Sequence, residues 1–166
     1  NGFQVGIAVG HGHAIAGRIG SDDQMKVGVF GPVVNLTSRL EGITKQVGAA
    51  ILIDGGMAQQ VRENLPASEI RIRKVARMRP VGMDSFVDVF QLLPTDADYD
   101  SITDAELAQF EQAVDTVIAG EWKRAHELLI GILPDDGPAN FLRQFLEEHR
   151  DTPPADWDGA INLKNK

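Results

Sequence analysis

Asn35 and Arg39 are the two side chains whose types and spacing point most directly to chemistry. They lie four residues apart, one helical turn, so on a helix both project from the same face. The residues around them suit a helix that begins here. Gly31 precedes it, and Pro32 fits a first turn because its missing N–H leaves nothing unpaired. Val33, Val34, Leu36, Leu40 and Ile43 supply an apolar stripe for burial. A carboxamide and a permanently charged, bidentate guanidinium near the positive end of a helix match what a phosphorylated ligand needs. Spacing alone equally allows a solvated helix face with a capping amide.

Other chemistry-bearing patterns are weaker. Gly10-His11-Gly12 with Gly17 lacks the G-K-[ST] ending and the G-x-G-x-x-G spacing of phosphate loops, so turn glycines are the expectation. His11 and His13 alternate as two metal ligands on a strand would, without a third ligand nearby in sequence. No G-x-S-x-G occurs, so hydrolase chemistry finds no support. Arg71, Arg73, Lys74, Arg77 and Arg79 form the one basic run. It reads as a solvated strand face, with pairing of Arg71 and Arg73 to the acidic second part of the chain as the alternative.

The elements that must position these groups fall into two styles. Apolar runs at 4–9 and 26–30, a short strand starting at 13–16, and 50–53 read as strands; 70–78 and 86–93 do so by alternation and β-branched content. Residues 21–24 read as a turn, and glycines 17 and 20 as the end of the second strand. Helices are expected from Pro32 to Gly42 or Gly48 and over 57–65, closed by Pro66. This interspersion predicts a layered sheet-and-helix, α+β, domain over 1–94. After an acidic linker, 95–102, the period becomes helical. Thr103 with Glu106 is a capping-box signature before Leu107, Phe110, Val114 and Val117. A second helix carries Trp122, Ala125, Leu128 and Leu129 and stops before Pro134; a third opens at Pro138. Residues 103–150 thus form a small all-α appendage whose first two helices look like one tetratricopeptide-type hairpin, which must dock on something to bury its faces. Residues 151–166 read as an extended strap, with Trp157 filling a groove on the helices.

Composition bounds the possibilities. At 166 residues and 43% hydrophobic content, the chain can build a true core. It has no cysteine, which excludes disulfides and thiolate chemistry and fits a reducing cytoplasm. No apolar run approaches the roughly 18 residues of a spanning helix, and the start is not a signal peptide. The expectation is a cytoplasmic segment without membrane contact, whatever anchors a longer protein. Net charge is −8, but 1–94 carry ten Lys/Arg against eight Asp/Glu, whereas 95–166 carry six against sixteen. The charge break marks the domain boundary. The acidic second part argues against nucleic-acid binding, and the mildly basic first part can accept a polyphosphate.

The runs Phe3-Gln-Val-Gly-Ile-Ala-Val-Gly10, Ala16-Gly-Arg-Ile-Gly20, Val29-Phe-Gly31, Val34-Asn35, Ser38-Arg39-Leu-Glu41 and Ala50-Ile-Leu-Ile-Asp54 resemble the second half of the class III adenylate/guanylate cyclase catalytic domain. The resemblance implies a partial, ferredoxin-like-derived domain. It also implies conversion of ATP, or less expectedly GTP, to a cyclic nucleotide and pyrophosphate in signalling, with head-to-tail homodimers sharing their sites. Asn35 would orient the ribose and Arg39 would stabilise the α-phosphate, with Gly28 and Gly31 on the substrate side. Two Mg or Mn ions are implied, held in the family by aspartates of an F-x-D-I-x-x-F type pattern that does not occur in this chain. These 166 residues alone are therefore expected to be inactive. Three departures stand out. Gly28 occupies the purine-reading position, Val81 falls where the triphosphate-binding Lys belongs, and Pro32 stands where an Asp is common. Arg79, two residues from Val81, shares its strand face and is the candidate substitute. These departures motivate a second expectation, a catalytically silent cyclase-homology domain that dimerises or receives signals.

Overall fold

The computed structural model describes residues 5–21, 24–80, 82–95 and 102–163. A five-stranded mixed sheet is built from β1 (Ile7–Val9), β4 (Ile51–Asp54), β6 (Val87–Leu92), β5 (Ile72–Arg79) and β7 (Ile161–Asn162), in that spatial order. β1 runs parallel to β4, β6 is antiparallel to both β4 and β5, and β7 joins β5 in parallel. β2 (Ile15–Ser21) and β3 (Gln24–Phe30) form a separate antiparallel ribbon. The helices are α1 (Pro32–Val47), α2 (Gly55–Asn64), α3 (Asp104–Ile118), α4 (Trp122–Ile130) and α5 (Gly137–Glu148).

Alternation in the central strands gives the sheet two faces. Leu52 and Val89 belong to one buried cluster with Leu40 and Val47 of α1 and with Phe110, Trp122 and Leu142 of the helical part. Their neighbours Ile53 and Phe90 pack instead with Ala58 of α2. The three C-terminal helices thus share a core with the sheet, α3 lying against β5 and α5 meeting α1. At about 25 cal/mol per Å² of apolar surface removed from water, this common core is the principal stabilising term.

Local signals set the element ends. Asp54 closes β4 and caps α2: Oδ1 accepts from Met57 N at 2.7 Å, while Oδ2 accepts from His11 N at 3.1 Å, tying the exit of β1 to the same carboxylate. Gly48, with φ 71, ends α1, so the helix runs through Gly42 to the later of the two expected stops. At α3 the capping box is complete, Thr103 accepting from Glu106 N and Glu106 accepting from Thr103 N.

Two expectations need correction, and two others need a note. The second strand does not stop at its glycines: β2 continues through Gly17 and Gly20, because Gly17 faces Gly28 and Gly20 faces Met25 across the ribbon. The turn expected at 21–24 includes Asp22 and Asp23, which lie outside the described residues; Ser21 and Gln24 pair on either side of them. The strap, expected to be extended, ends in a strand: Ile161 and Asn162 pair with Met78 and Arg79 as β7. Finally, β5 is not a solvated basic face. A bulge between Lys74 and Ala76 shifts its alternation, and Arg73 is only 1% exposed. The acidic linker falls largely outside the described residues.

Arg73 joins the two charge-contrasted parts of the chain. Its Nη1 lies 2.8 Å from Oδ2 of Asp136, its Nη2 donates to Asp136 Oδ1 and Gln91 Oε1, and its guanidinium stacks 4.3 Å from the Phe110 ring centre. Asp136 also caps α5 by accepting from Ala139 N at 2.8 Å. Arg71 donates to the carbonyl of Ile102. Trp157 fills a groove as its residue type suggested. Its ring meets Trp122 edge-on at 4.9 Å, and Nε1 donates to the carbonyls of Val117 and Ile118 at the end of α3.

Candidate functional site

α1 starts abruptly because Gly31 makes it possible. Its φ of 155° and a built Cβ only 2.7 Å from the His13 carbonyl oxygen leave room for glycine alone, and Pro32 follows at the first helical position. The buried stripe is Leu40, Thr44 and Val47, with Leu36 and Ile43 packed at its edge. This phase turns Asn35 and Arg39 outward, both exposed and one turn apart. Arg39 extends to the turn after β5: a Cβ built on Gly82 would lie 3.4 Å from Arg39 Nη2. Gly82 has φ 71, so the backbone there favours glycine, and the Arg39 guanidinium lies within ordinary van der Waals reach of it.

The remaining candidate residues fall into different surroundings. Gly28, in β3, has the Phe30 ring laid over it, a built Cβ meeting Phe30 Cε2 and Cζ at 2.6 Å. The position that the resemblance assigns to base reading is thus covered by an aromatic ring that is itself half exposed. Val81 lies outside the described residues. Arg79 is committed elsewhere, its Nη2 to Asp158 Oδ2 at 2.5 Å, its Nη1 to Asn162 Oδ1 at 2.7 Å, and its Nε to the Asp84 carbonyl at 3.2 Å. These contacts pull the Asp158 carboxyl below its usual range, chiefly through the Arg79 hydrogen bond.

Two cavities, of about 610 and 800 Å³, open beside the strap and between α2 and the start of α5, and neither is lined by Asn35 or Arg39. The amide and guanidinium sit on an open face instead. The ribbon, whose β3 leads directly into α1, presents Ile15, Ile19, Val27, Val29 and Phe30, each at least half exposed. Among the described residues no group of three or more His, Cys, Asp or Glu side chains could hold a metal ion, so His11 and His13 gain no third ligand. Among the described residues no helix is long and apolar enough to cross a membrane.

The exposed Asn-Arg pair stands one turn apart behind a glycine that its backbone requires. Over about 91 residues the chain is similar to adenylate cyclases. It is 32% identical to an adenylate cyclase of Anabaena cylindrica over 92 residues, 54% of this chain and 18% of that protein. It is 23% identical to adenylate cyclase 1 of Rhizobium meliloti over 91 residues, 55% of this chain and 13% of that one. The chain therefore spans less than a fifth of the length of these relatives. Among solved structures, the adenylyl cyclase CyaB from P. aeruginosa aligns with a TM-score of 0.43 at 25% identity, covering 54% of this chain and 42% of that one. No protein-family model matches the chain.

What sequence reasoning missed here is the lower wall of the site. Spacing singles out Arg39 beside Asn35, but its proximity to Gly82, 43 positions later, arises only in the folded chain. The only sequence signal was a glycine between two strand-like runs.

Proposed function

We propose that this chain carries the ribose- and α-phosphate-binding part of a class III adenylate cyclase site, converting ATP to cyclic AMP and pyrophosphate for intracellular signalling. The observation that carries this reading is the outward, one-turn pairing of Asn35 and Arg39, behind the Gly31 start, in a chain similar to adenylate cyclases. In the reaction the ribose 3′ oxygen forms a bond to the α-phosphorus, the bond to the pyrophosphate oxygen breaks, and the 3′ hydroxyl proton leaves. Asn35 holds the sugar through its carboxamide, fixing the attacking oxygen in line. Arg39 donates to the α-phosphate oxygens as charge builds on them.

The described residues do not fit the two Mg or Mn ions that such a site uses. In this reading their carboxylates come from chain outside the described residues, on this protein or on a second copy. A homodimer is part of the proposal, supported by the open face around Asn35 and by the exposed apolar ribbon beside it. The helical part, whose α3 and α4 we read as a tetratricopeptide-type hairpin, braces the sheet from behind.

The test is product formation by the full-length protein with Mn-ATP. Arg39→Ala is expected to lower turnover by ~10²–10³, the usual cost of one oxyanion-stabilising donor. Unchanged turnover would overturn the assignment.

A second reading, favoured by the Phe30 ring over Gly28, is a cyclase-homology domain that dimerises without catalysis. It predicts no cyclic product from ATP or GTP by folded full-length protein, alongside a dimer in light scattering.

A further inference from the structure

Arg79 occupies a position that neither substrate binding nor simple packing accounts for. It is the last residue of β5, and its three side-chain nitrogens are divided between two segments. Nη1 and Nη2 bind Asn162 and Asp158 of the strap, and Nε binds the backbone carbonyl of Asp84 in the β5–β6 turn. That same turn, closed by Met83 N donating to the Pro80 carbonyl at 3.0 Å, carries Gly82 beneath the Arg39 guanidinium. The strap is pinned at both ends of its contact with Arg79. Trp157 is anchored on α3 just before Asp158, and Leu163 N donates to the Arg79 carbonyl just after Asn162.

We propose that Arg79 is a positioning residue: docking of the strap through Asp158 and Asn162 holds the β5–β6 turn at the height that places Arg39 for the α-phosphate. This role rests on the cyclase reading for its consequence, though not for the mechanical link. A planar guanidinium with five donors in fixed directions can hold two side chains and a carbonyl at once, which an ammonium cannot. The strap thereby becomes part of the site's scaffold at one remove.

The link is tested by Asp158→Asn, which keeps the side chain's shape and leaves Arg79 and Arg39 in place. Amide hydrogen exchange on the full-length protein should show Met83 exchanging about two- to fivefold faster, the span an exposed charge pair supports. Arg79→Lys should reproduce the effect, and Asp158→Glu should return exchange toward wild type. In cyclase assays the same variants should lower kcat while leaving the KM for Mn-ATP nearly unchanged, because the nucleotide's other contacts persist. Unaltered exchange at Met83 in both Asp158→Asn and Arg79→Lys overturns the proposal. If wild-type protein makes no cyclic nucleotide, the cyclase reading fails, and the exchange measurement still decides the link.

Discussion

The ribbon and the front of α1 contrast with the seam where β5 meets α3 and α5. Along the ribbon Ile15 is 76% and Val27 78% exposed, and two strands by themselves are marginal in water. At the seam, Arg73, Phe110, Leu129 and Leu142 are almost fully buried, and even the charged pair Arg73–Asp136 is closed off from solvent. The polar pair proposed for chemistry sits in the open region, and the stability of the fold resides in the sealed one. Chemistry and stability are thus largely separable in this chain, and each can be perturbed without the other.

The sharpest break of that separation is Asp136→Ala. It leaves Arg73 buried without its counter-charge and removes the α5 cap, and should cost about 3–5 kcal/mol in urea unfolding. Survival of normal stability would show that the seam is wetter than its geometry indicates. At the open face the expectation is reversed. Asn35→Ala should change unfolding free energy by less than about 0.5 kcal/mol and Arg39→Ala by no more than about 1 kcal/mol, as exposed positions do, while the second collapses turnover. A large loss of stability in Arg39→Ala would make it a structural strut. Between these extremes, Thr103→Ala removes the acceptor for Glu106 N and should cost about 1 kcal/mol, read as a lower melting temperature.

The smallest effect is a pH dependence. Glu106 and Asp158 both titrate below their ordinary values, Glu106 first through hydrogen bonds from Thr103 and Asp158 first through that from Arg79. Their stabilising contributions are complete above an unfolded pKa of about 4 and vanish as pH falls through the lower folded values. Carboxyl titration by NMR should give both midpoints below those of the unfolded chain. A midpoint for Asp158 at the unfolded value would remove the strap clamp.

How much of this was legible in sequence depends on the range of the interaction. The helical part declared itself because its signals are local: Thr103 and Glu106 are three residues apart, and Pro138 sits at the start of α5. The facing of Asn35 and Arg39 was likewise fixed by one turn of helix. The ion pair between Arg73 and Asp136 spans 63 positions, so the sequence offers pairing with the acidic part only as the alternative to a solvated strand face and cannot name the partner. β7 escaped notice because two residues carry no periodicity. The engagement of Arg79 by the strap was hidden for the same reason, and spacing from Val81 pointed instead to a phosphate. Gly17 and Gly20 misled in another way, since glycines that usually end a strand here face partners across a ribbon.

The two margins of the main sheet are finished differently. On the β5 side, Glu111 of α3 accepts from the Lys74 amide at 3.0 Å, and β7 covers Met78 and Arg79, so a foreign strand finds few free amides there. On the β1 side, Ile7 and Val9 are exposed, and β4 is the one neighbour among the described residues. Among the described residues the β1 margin is therefore the more open one. An added strand, from the same protein or another, finds its freest backbone groups beside β1, whose exit lies near the start of α1.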